Sequence, residues 1–297
     1  MKQKRTDSLL WLLITIVLAA LCAAARRWQL NTAFEGKLNL PIPMAPATIV
    51  LLCLFVIAAA ALVLLCRKQT VDPALRQDSA LALYANDETL FLGAVLCAAF
   101  LALIAAPALF RDGYRMWHEY QSAQFYGDKI PGGNNGMLIL VTAVTSALAF
   151  IALLVIGKLS FRSTTKGRLA ILLPAVNNCL WLMEIYRYYA ADPVRWNYTP
   201  LLLAIVFGIL FYLDWAGLYA GVCAPRRTLW MAGMTVVFSA AALAGHWSFG
   251  SAMLLFSQLI AALAVLWCVP KNLRYPPEPV TEAAPAVEEK LEEKTHE

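Results

Sequence analysis

The sequence predicts an all-α fold, a polytopic membrane helix bundle of about eight transmembrane helices with no soluble domain. Composition is the first reason, because 61% of the 297 residues are hydrophobic and 14% are charged, whereas soluble domains are about half apolar and about a quarter charged. The second reason is a series of apolar runs of about 20 residues, the length that an α-helix needs to cross a bilayer. None of these runs alternates polar and apolar residues as barrel strands do, which leaves helices as the predicted elements.

The runs divide the chain into a transmembrane bundle at residues 1–268 and an acidic tail at residues 269–297. The tail is rich in Pro and Glu and has little to bury, so we predict that it is disordered. The predicted spans lie near residues 8–25, 45–66, 89–110, 137–157, 169–190, 200–222, 228–245 and 249–268.

We interpret the first span, at residues 8–25, as an uncleaved membrane anchor. The basic residues before it and the A-x-A-like pair Ala23 and Ala25 also fit a signal peptide. The apolar run is long for a signal peptide, and Arg26 and Arg27 would directly follow the cleavage site, so the anchor is the preferred interpretation.

Basic residues predict the orientation, because Lys and Arg resist translocation. With the N-terminus in the cytoplasm, the inner connections carry twice as many Lys and Arg residues as the outer ones. We therefore predict a multi-pass protein of the plasma membrane with both termini in the cytoplasm. The inner set is Lys2, Lys4, Arg5, Arg67, Lys68, Arg76, Lys158, Arg162, Lys166, Arg168, Arg226, Arg227, Lys271 and Arg274. The outer set is Arg26, Arg27, Lys37, Arg111, Arg115, Lys129 and Arg195.

The predicted partners are the lipid bilayer and, as a hypothesis, a cytoplasmic protein that binds residues 269–297. The inner cations serve orientation and contact anionic headgroups, so no nucleic-acid binding is predicted. The seven cysteines lie within apolar runs or at their ends, without a C-x-x-C pair or a Cys/His cluster. No nucleotide-binding or hydrolase motif is present. We therefore expect no metal, no cofactor and no enzymatic activity.

Aromatic residues crowd the longest predicted outer connection, residues 111–136. We expect a short amphipathic helix at the headgroup level, acting as an aromatic-belt anchor, and then a turn at residues 128–136. The alternative is a lid or recognition surface over an opening between helices, formed by Trp117, His118, Glu119 and Tyr120. On the inner side, Asp72 and Pro73 predict the N-cap and first turn of a short surface helix.

The fifth span, at residues 169–190, is unusually polar. An ionised side chain in mid-membrane costs about 2.5–3.5 kcal/mol on insertion scales, so such residues normally face protein or water. Asn177, Glu184 and Arg187 fall on or near one helix face, beside Asn178. Either this stripe is functional, or Arg187 reaches the headgroups and forms a structural ion pair with Glu184.

The sixth span, at residues 200–222, carries Asp214 with no cation within a turn of its own helix. If the fifth and sixth spans form a hairpin, Asn177 and Asp214 lie at matching depth, about 20 Å from the outer ends. Asn177 or Asn178 could then donate to the Asp214 carboxylate. The G-x-x-x-G pattern of Gly217 and Gly221 predicts close helix packing on the same span.

Two functions are weighed from these residues. The first is a secondary transporter or permease, with Asp214, Glu184, Asn177, Asn178 and Arg187 as a substrate-binding or ion-binding track near the midplane. The second is a non-catalytic membrane partner, sensor or assembly subunit, in which the carboxylates are buried against other helices and only stabilise packing. A lipid enzyme is disfavoured, because the spans offer no nucleophile–base pair and no metal cluster.

Overall fold

The computed structural model describes residues 2–35, 40–72, 75, 82–83, 89–126, 135–159, 170–189, 195–222 and 224–274. This part of the chain contains eight α-helices, which confirms the predicted all-α class. They are α1 (Lys2–Thr32), α2 (Pro46–Lys68), α3 (Thr89–Phe125), α4 (Gly136–Leu159), α5 (Leu172–Tyr189), α6 (Arg195–Tyr219), α7 (Pro225–Leu243) and α8 (Phe249–Arg274).

Six of the described helices, α1, α2, α3, α4, α6 and α8, are long and apolar enough to cross a membrane. The other two, α5 with 18 residues and α7 with 19, carry more polar side chains. At 1.5 Å per residue they are about 27–28 Å long, close to the roughly 30 Å of a hydrocarbon core. Large apolar side chains cover the outside of the bundle, among them Leu13, Val56, Val144 and Met183. The chain is a multi-pass membrane protein.

Helices α3 to α8 form a closed ring in chain order, because each packs against the next and α8 packs against α3. Helix α1 packs on the outside of this ring against α7 and α8, and α2 packs against α1 and α7. Helix α7 is therefore enclosed by neighbours, and nearly every residue from Thr228 to Ser239 is buried. Only the faces of α3 to α8 that point into the ring can contribute side chains to a site in its interior.

Successive helices run in opposite directions, so the bundle has two ends. At one end of the bundle, which we name the Arg26 end, Arg26 of α1 donates to Asn197 Oδ1 of α6 at 3.1 Å. Gln29 Nε2 of α1 donates there to Thr48 Oγ1 of α2 at 2.9 Å. At the opposite end, the Arg226 end, the Arg226 side chain donates to the Gln69 carbonyl at 2.5 Å.

Two helices extend beyond the predicted spans at the Arg26 end. Helix α1 continues to Thr32, so Arg26 is a buried helical residue bonded to α6 and not a loop cation. Helix α3 continues to Phe125, so the expected separate helix lying flat at the headgroups is wrong. Residues 111–125 instead prolong α3, where Gly113 and Gly136 allow a close approach to α4: a Cβ on Gly136 would lie 2.7 Å from the Gly113 carbonyl oxygen.

Helix α8 extends into the first residues of the predicted tail, residues 269–297. Helix α8 continues to Arg274 because Leu273 is fully buried and Lys271 stacks on the Trp267 ring at 4.3 Å. The Asn272 side chain also donates to the Ala82 carbonyl at 3.0 Å. The predicted disorder of residues 275–297, the surface helix starting at Pro73 and the turn at residues 128–134 lie outside the described residues.

The end of α6 corrects the G-x-x-x-G prediction. Gly221 lies beyond the helix in the left-handed region, with φ +73°, where a side chain is disfavoured. The Val222 N–H donates to the Gly217 carbonyl at 3.0 Å and the Gly221 N–H to the Leu218 carbonyl at 3.2 Å. These two bonds form a Schellman motif. Gly221 therefore ends the helix instead of packing against a neighbour.

Candidate functional site

Glu184 is the buried acid of the candidate site. It lies on α5, about 8 Å from the helix end at the Arg26 end of the bundle, and is 6% exposed. The Thr142 hydroxyl of α4 lies within hydrogen-bonding reach of its carboxylate and also 3.0 Å from the Leu138 carbonyl. The second carboxylate oxygen, Oε2, is buried without a hydrogen-bond partner among the described residues.

This carboxylate lines a cavity of about 220 Å³ between α3, α4, α5 and the start of α8. One water occupies roughly 30 Å³ of liquid, so the space is large enough for a small molecule. Apolar walls come from Leu109, Met116, Ile139 and Ile185, and polar groups from Asp112, Arg115, Ser248 and Ser251. A second cavity of about 660 Å³ shares Asp112, Arg115 and Ser248 with the first and lies beside it.

Asp112 of α3 is the second acid of the cavity and interacts electrostatically with Glu184. Its neighbour Arg111 approaches it only to 3.9 Å, with a side chain that is 86% exposed. Arg115 lies 3.8 Å from Glu119, and both of these side chains are exposed. Such exposed pairs contribute little. The cavity wall therefore carries two carboxyl groups, whereas the arginine side chains beside it are largely exposed.

The predicted polar stripe on α5 is present, but its members bind other helices. Asn177 Oδ1 accepts a 2.8 Å hydrogen bond from the Thr145 hydroxyl of α4. Asn178 Nδ2 donates to Gln258 Oε1 of α8 at 3.0 Å, and Gln258 Nε2 donates to Ser239 Oγ of α7 at 2.9 Å. These contacts tie the centre of the ring together, about 9–10 Å deeper than Glu184 and Ser251.

The expected depth match between Asn177 and Asp214 is wrong. Helix α6 begins at Arg195, so Asp214 lies about 28 Å from its start, whereas Asn177 lies about 18 Å from the end of α5. The residue of α6 level with Asn178 is Gly208, where a Cβ would meet the Asn178 amide at 2.6 Å. Asp214 lies about 9 Å further toward the Arg226 end.

Asp214 has a cationic partner from the next helix. Arg227 Nε lies 3.0 Å from Asp214 Oδ2, with the arginine side chain 59% exposed and the aspartate 6% exposed. Gly221 ends α6 and Pro225 starts α7, which places Arg227 in the first turn of α7, beside Asp214. The sequence indicates this pairing, because Gly221 and Pro225 mark a turn between two helices and Arg226 and Arg227 directly follow Pro225.

The remaining predicted site residues do not join the cavity. Arg187 is exposed, and no ion pair between it and Glu184 forms within the described residues, so the alternative of a structural Glu184–Arg187 pair is wrong. The four outer residues, Trp117, His118, Glu119 and Tyr120, lie on the exposed or half-exposed part of α3 beyond the cavity. The residues that sequence reasoning missed are Asp112, Arg115, Ser248 and Ser251, because only the continuation of α3 and the turn before α8 bring them to Glu184.

Among the described residues, no group of three His, Cys, Asp or Glu side chains is arranged to hold a metal ion. Comparison with known proteins finds no match, whether among protein-family models, curated proteins or solved structures.

Proposed function

We propose that the chain is a permease-type secondary transporter of the plasma membrane in which Glu184 contacts the solute. One observation carries the proposal: Glu184, a buried acid with one carboxylate oxygen that has no hydrogen-bond partner among the described residues, lines a cavity that opens toward one end of the bundle. Leaving a buried polar group unsatisfied costs about 1–3 kcal/mol, and more for a charged one. A solute or water with a donor group would remove that cost, which is the behaviour of a binding site.

The polar network below the cavity suits a transporter in one of its two states. Asn178, Gln258 and Ser239 close the centre of the ring, while the cavity above is open. A transporter alternates access by moving one part of the bundle against another around a fixed site. We propose that the described arrangement is the state open at the Arg26 end.

The charge distribution supports both termini in the cytoplasm and the cavity on the outer face. Lys68, Arg226, Arg227 and Lys271 all lie at the Arg226 end. Arg26 is a cation on the predicted outer side and therefore opposes this orientation. Because it is buried and hydrogen-bonded within the bundle, it carries less weight in the count of loop cations. The proposal is for passage of a solute and not for a reaction.

The second candidate is the non-catalytic membrane partner, with residues 269–297 as a contact for a cytoplasmic protein. The pairing of Asp214 with Arg227 favours it, because this carboxylate serves the turn between α6 and α7. The bonds of Asn178 to Gln258 likewise stabilise packing. The two candidates therefore differ on what Glu184 does.

Thiol labelling from both sides of the membrane separates them. Ile185→Cys places a thiol on the cavity wall beside Glu184 and leaves the carboxylate in place. We expect a membrane-impermeant maleimide to label it in intact cells and, more slowly, in inverted vesicles, because a transporter exposes its site to each side in turn. Peptide mass spectrometry distinguishes this thiol from the native cysteines.

Ser248→Cys at the cavity mouth is the matched control and should be labelled from the outer side alone. Labelling of Ile185→Cys from the outer side alone would contradict transport and leave a receptor or sensor. Labelling from neither side would support the structural partner.

A further inference from the structure

We infer that the cavity binds a small organic ammonium ion, held between Glu184 and Asp112; the inference rests on the proposed function, whose solute it specifies. The two carboxyl groups come from different helices, α5 and α3, and line the same open cavity, where they interact electrostatically. Glu184 is 6% exposed, and its Oε2 has no hydrogen-bond donor within the described residues. A cation in the cavity would lie beside this buried carboxylate and balance its charge.

The arginines near the cavity do not neutralise this wall. Arg111 is 86% exposed and approaches Asp112 only to 3.9 Å, and Arg115 is 70% exposed and faces Glu119 at 3.8 Å. Water screens both pairs at the mouth. The two acids repel an anion that enters the cavity and attract a cation. This attraction becomes stronger away from the mouth, where less water screens the charges.

The remaining walls favour an organic ion over a bare metal ion. Tyr188 and Trp247 bring aromatic rings to the cavity, and aromatic rings attract ammonium groups through their π-electrons. The Trp247 indole N–H donates to the Ala242 carbonyl, which holds the ring in place. A volume of about 220 Å³ holds several non-hydrogen atoms, and the apolar side chains Leu109 and Ile139 suit methyl or methylene groups.

Protection from a carbodiimide tests the inference with tetramethylammonium as the probe. Dicyclohexylcarbodiimide modifies carboxyl groups in apolar surroundings, and tetramethylammonium carries no nucleophilic nitrogen that could intercept the activated acid. Labelling of Glu184 is measured by peptide mass spectrometry on the full chain in native membranes. We expect tetramethylammonium chloride to reduce this labelling several-fold, while sodium chloride at equal ionic strength leaves it unchanged.

Asp112→Asn supplies a second, graded readout. This variant keeps Glu184, so labelling without the probe should persist, while half-protection should require several-fold more tetramethylammonium. Because the variant lacks the Asp112 carboxylate, this shift tests whether Asp112 holds the ion together with Glu184.

Three results would overturn the inference: no protection by tetramethylammonium, equal protection by sodium, or protection by magnesium chloride alone. In each of them Glu184 is still labelled without the probe, so the accessible cavity and the proposed function stand. If Glu184 is never labelled, the accessible carboxylate itself is lost and the proposed function fails with the inference.

Discussion

At the scale of single residues, the two intramembrane acids differ in their surroundings. Asp214 is paired with Arg227 across the turn between α6 and α7. Glu184 keeps one buried carboxylate oxygen without a partner beside a cavity. Proteins retain unsatisfied buried groups where function needs them and lose stability by doing so. The two acids should therefore respond differently to neutralisation.

We predict that Glu184→Gln leaves the free energy of unfolding within about 0.5 kcal/mol of the native chain or raises it, because no charge remains to be desolvated. Asp214→Asn should lower it by about 1 kcal/mol, a modest loss because Arg227 is largely exposed to solvent. Thermal or denaturant unfolding in detergent measures both. A larger loss for Glu184→Gln than for Asp214→Asn would mean that Glu184 is the structural acid.

The burial of the polar residues in the apolar runs could be predicted from the sequence, but their partners could not. Asn177, Asn178, Glu184 and Asp214 are all buried, as their place in apolar runs predicted. Helical spacing identifies a shared face on one helix, but it carries no information on which neighbour that face meets. Gln258 illustrates the limit, since its role depends on a side-chain contact with Asn178 across the interior of the ring.

At the scale of elements, helix ends decide where the site residues lie. The Schellman motif at Gly221 ends α6 and brings Arg227 to Asp214. The continuation of α3 past residue 110 brings Asp112 to Glu184. The ends of apolar runs do not predict these boundaries, because a helix continues wherever its next turn finds packing partners.

A pair of glycine substitutions tests the helix end directly. A Cβ would meet no atom within 4 Å at either Gly221 or Gly93, but Gly221 has φ +73° and Gly93 lies within α3. Gly221→Ala should lower the free energy of unfolding by about 1–2 kcal/mol. Gly93→Ala should leave it unchanged or raise it by about 0.5–1 kcal/mol. Equal effects in detergent unfolding would contradict the assigned motif.

At the scale of the whole molecule, a ring of six helices is open at one end and closed at its centre. The cavity lies between α3, α4, α5 and α8, and the network of Asn178, Gln258 and Ser239 closes the ring beneath it. The multi-pass class could be predicted from composition and run length alone. The ring order could not, because helices of similar apolarity can pack in many arrangements with the same connections.

The measurement that tests the central claim most directly is carbodiimide labelling of the native membrane protein across pH, located by peptide mass spectrometry. The reagent reacts with protonated carboxyl groups, so an accessible acid in apolar surroundings should be labelled less as pH rises. We predict this behaviour for Glu184, with Asp214 far less labelled at every pH because its carboxylate is buried and ion-paired with Arg227. Labelling of Asp214 without labelling of Glu184, or of neither acid, would contradict the assignment of Glu184 to an accessible binding cavity.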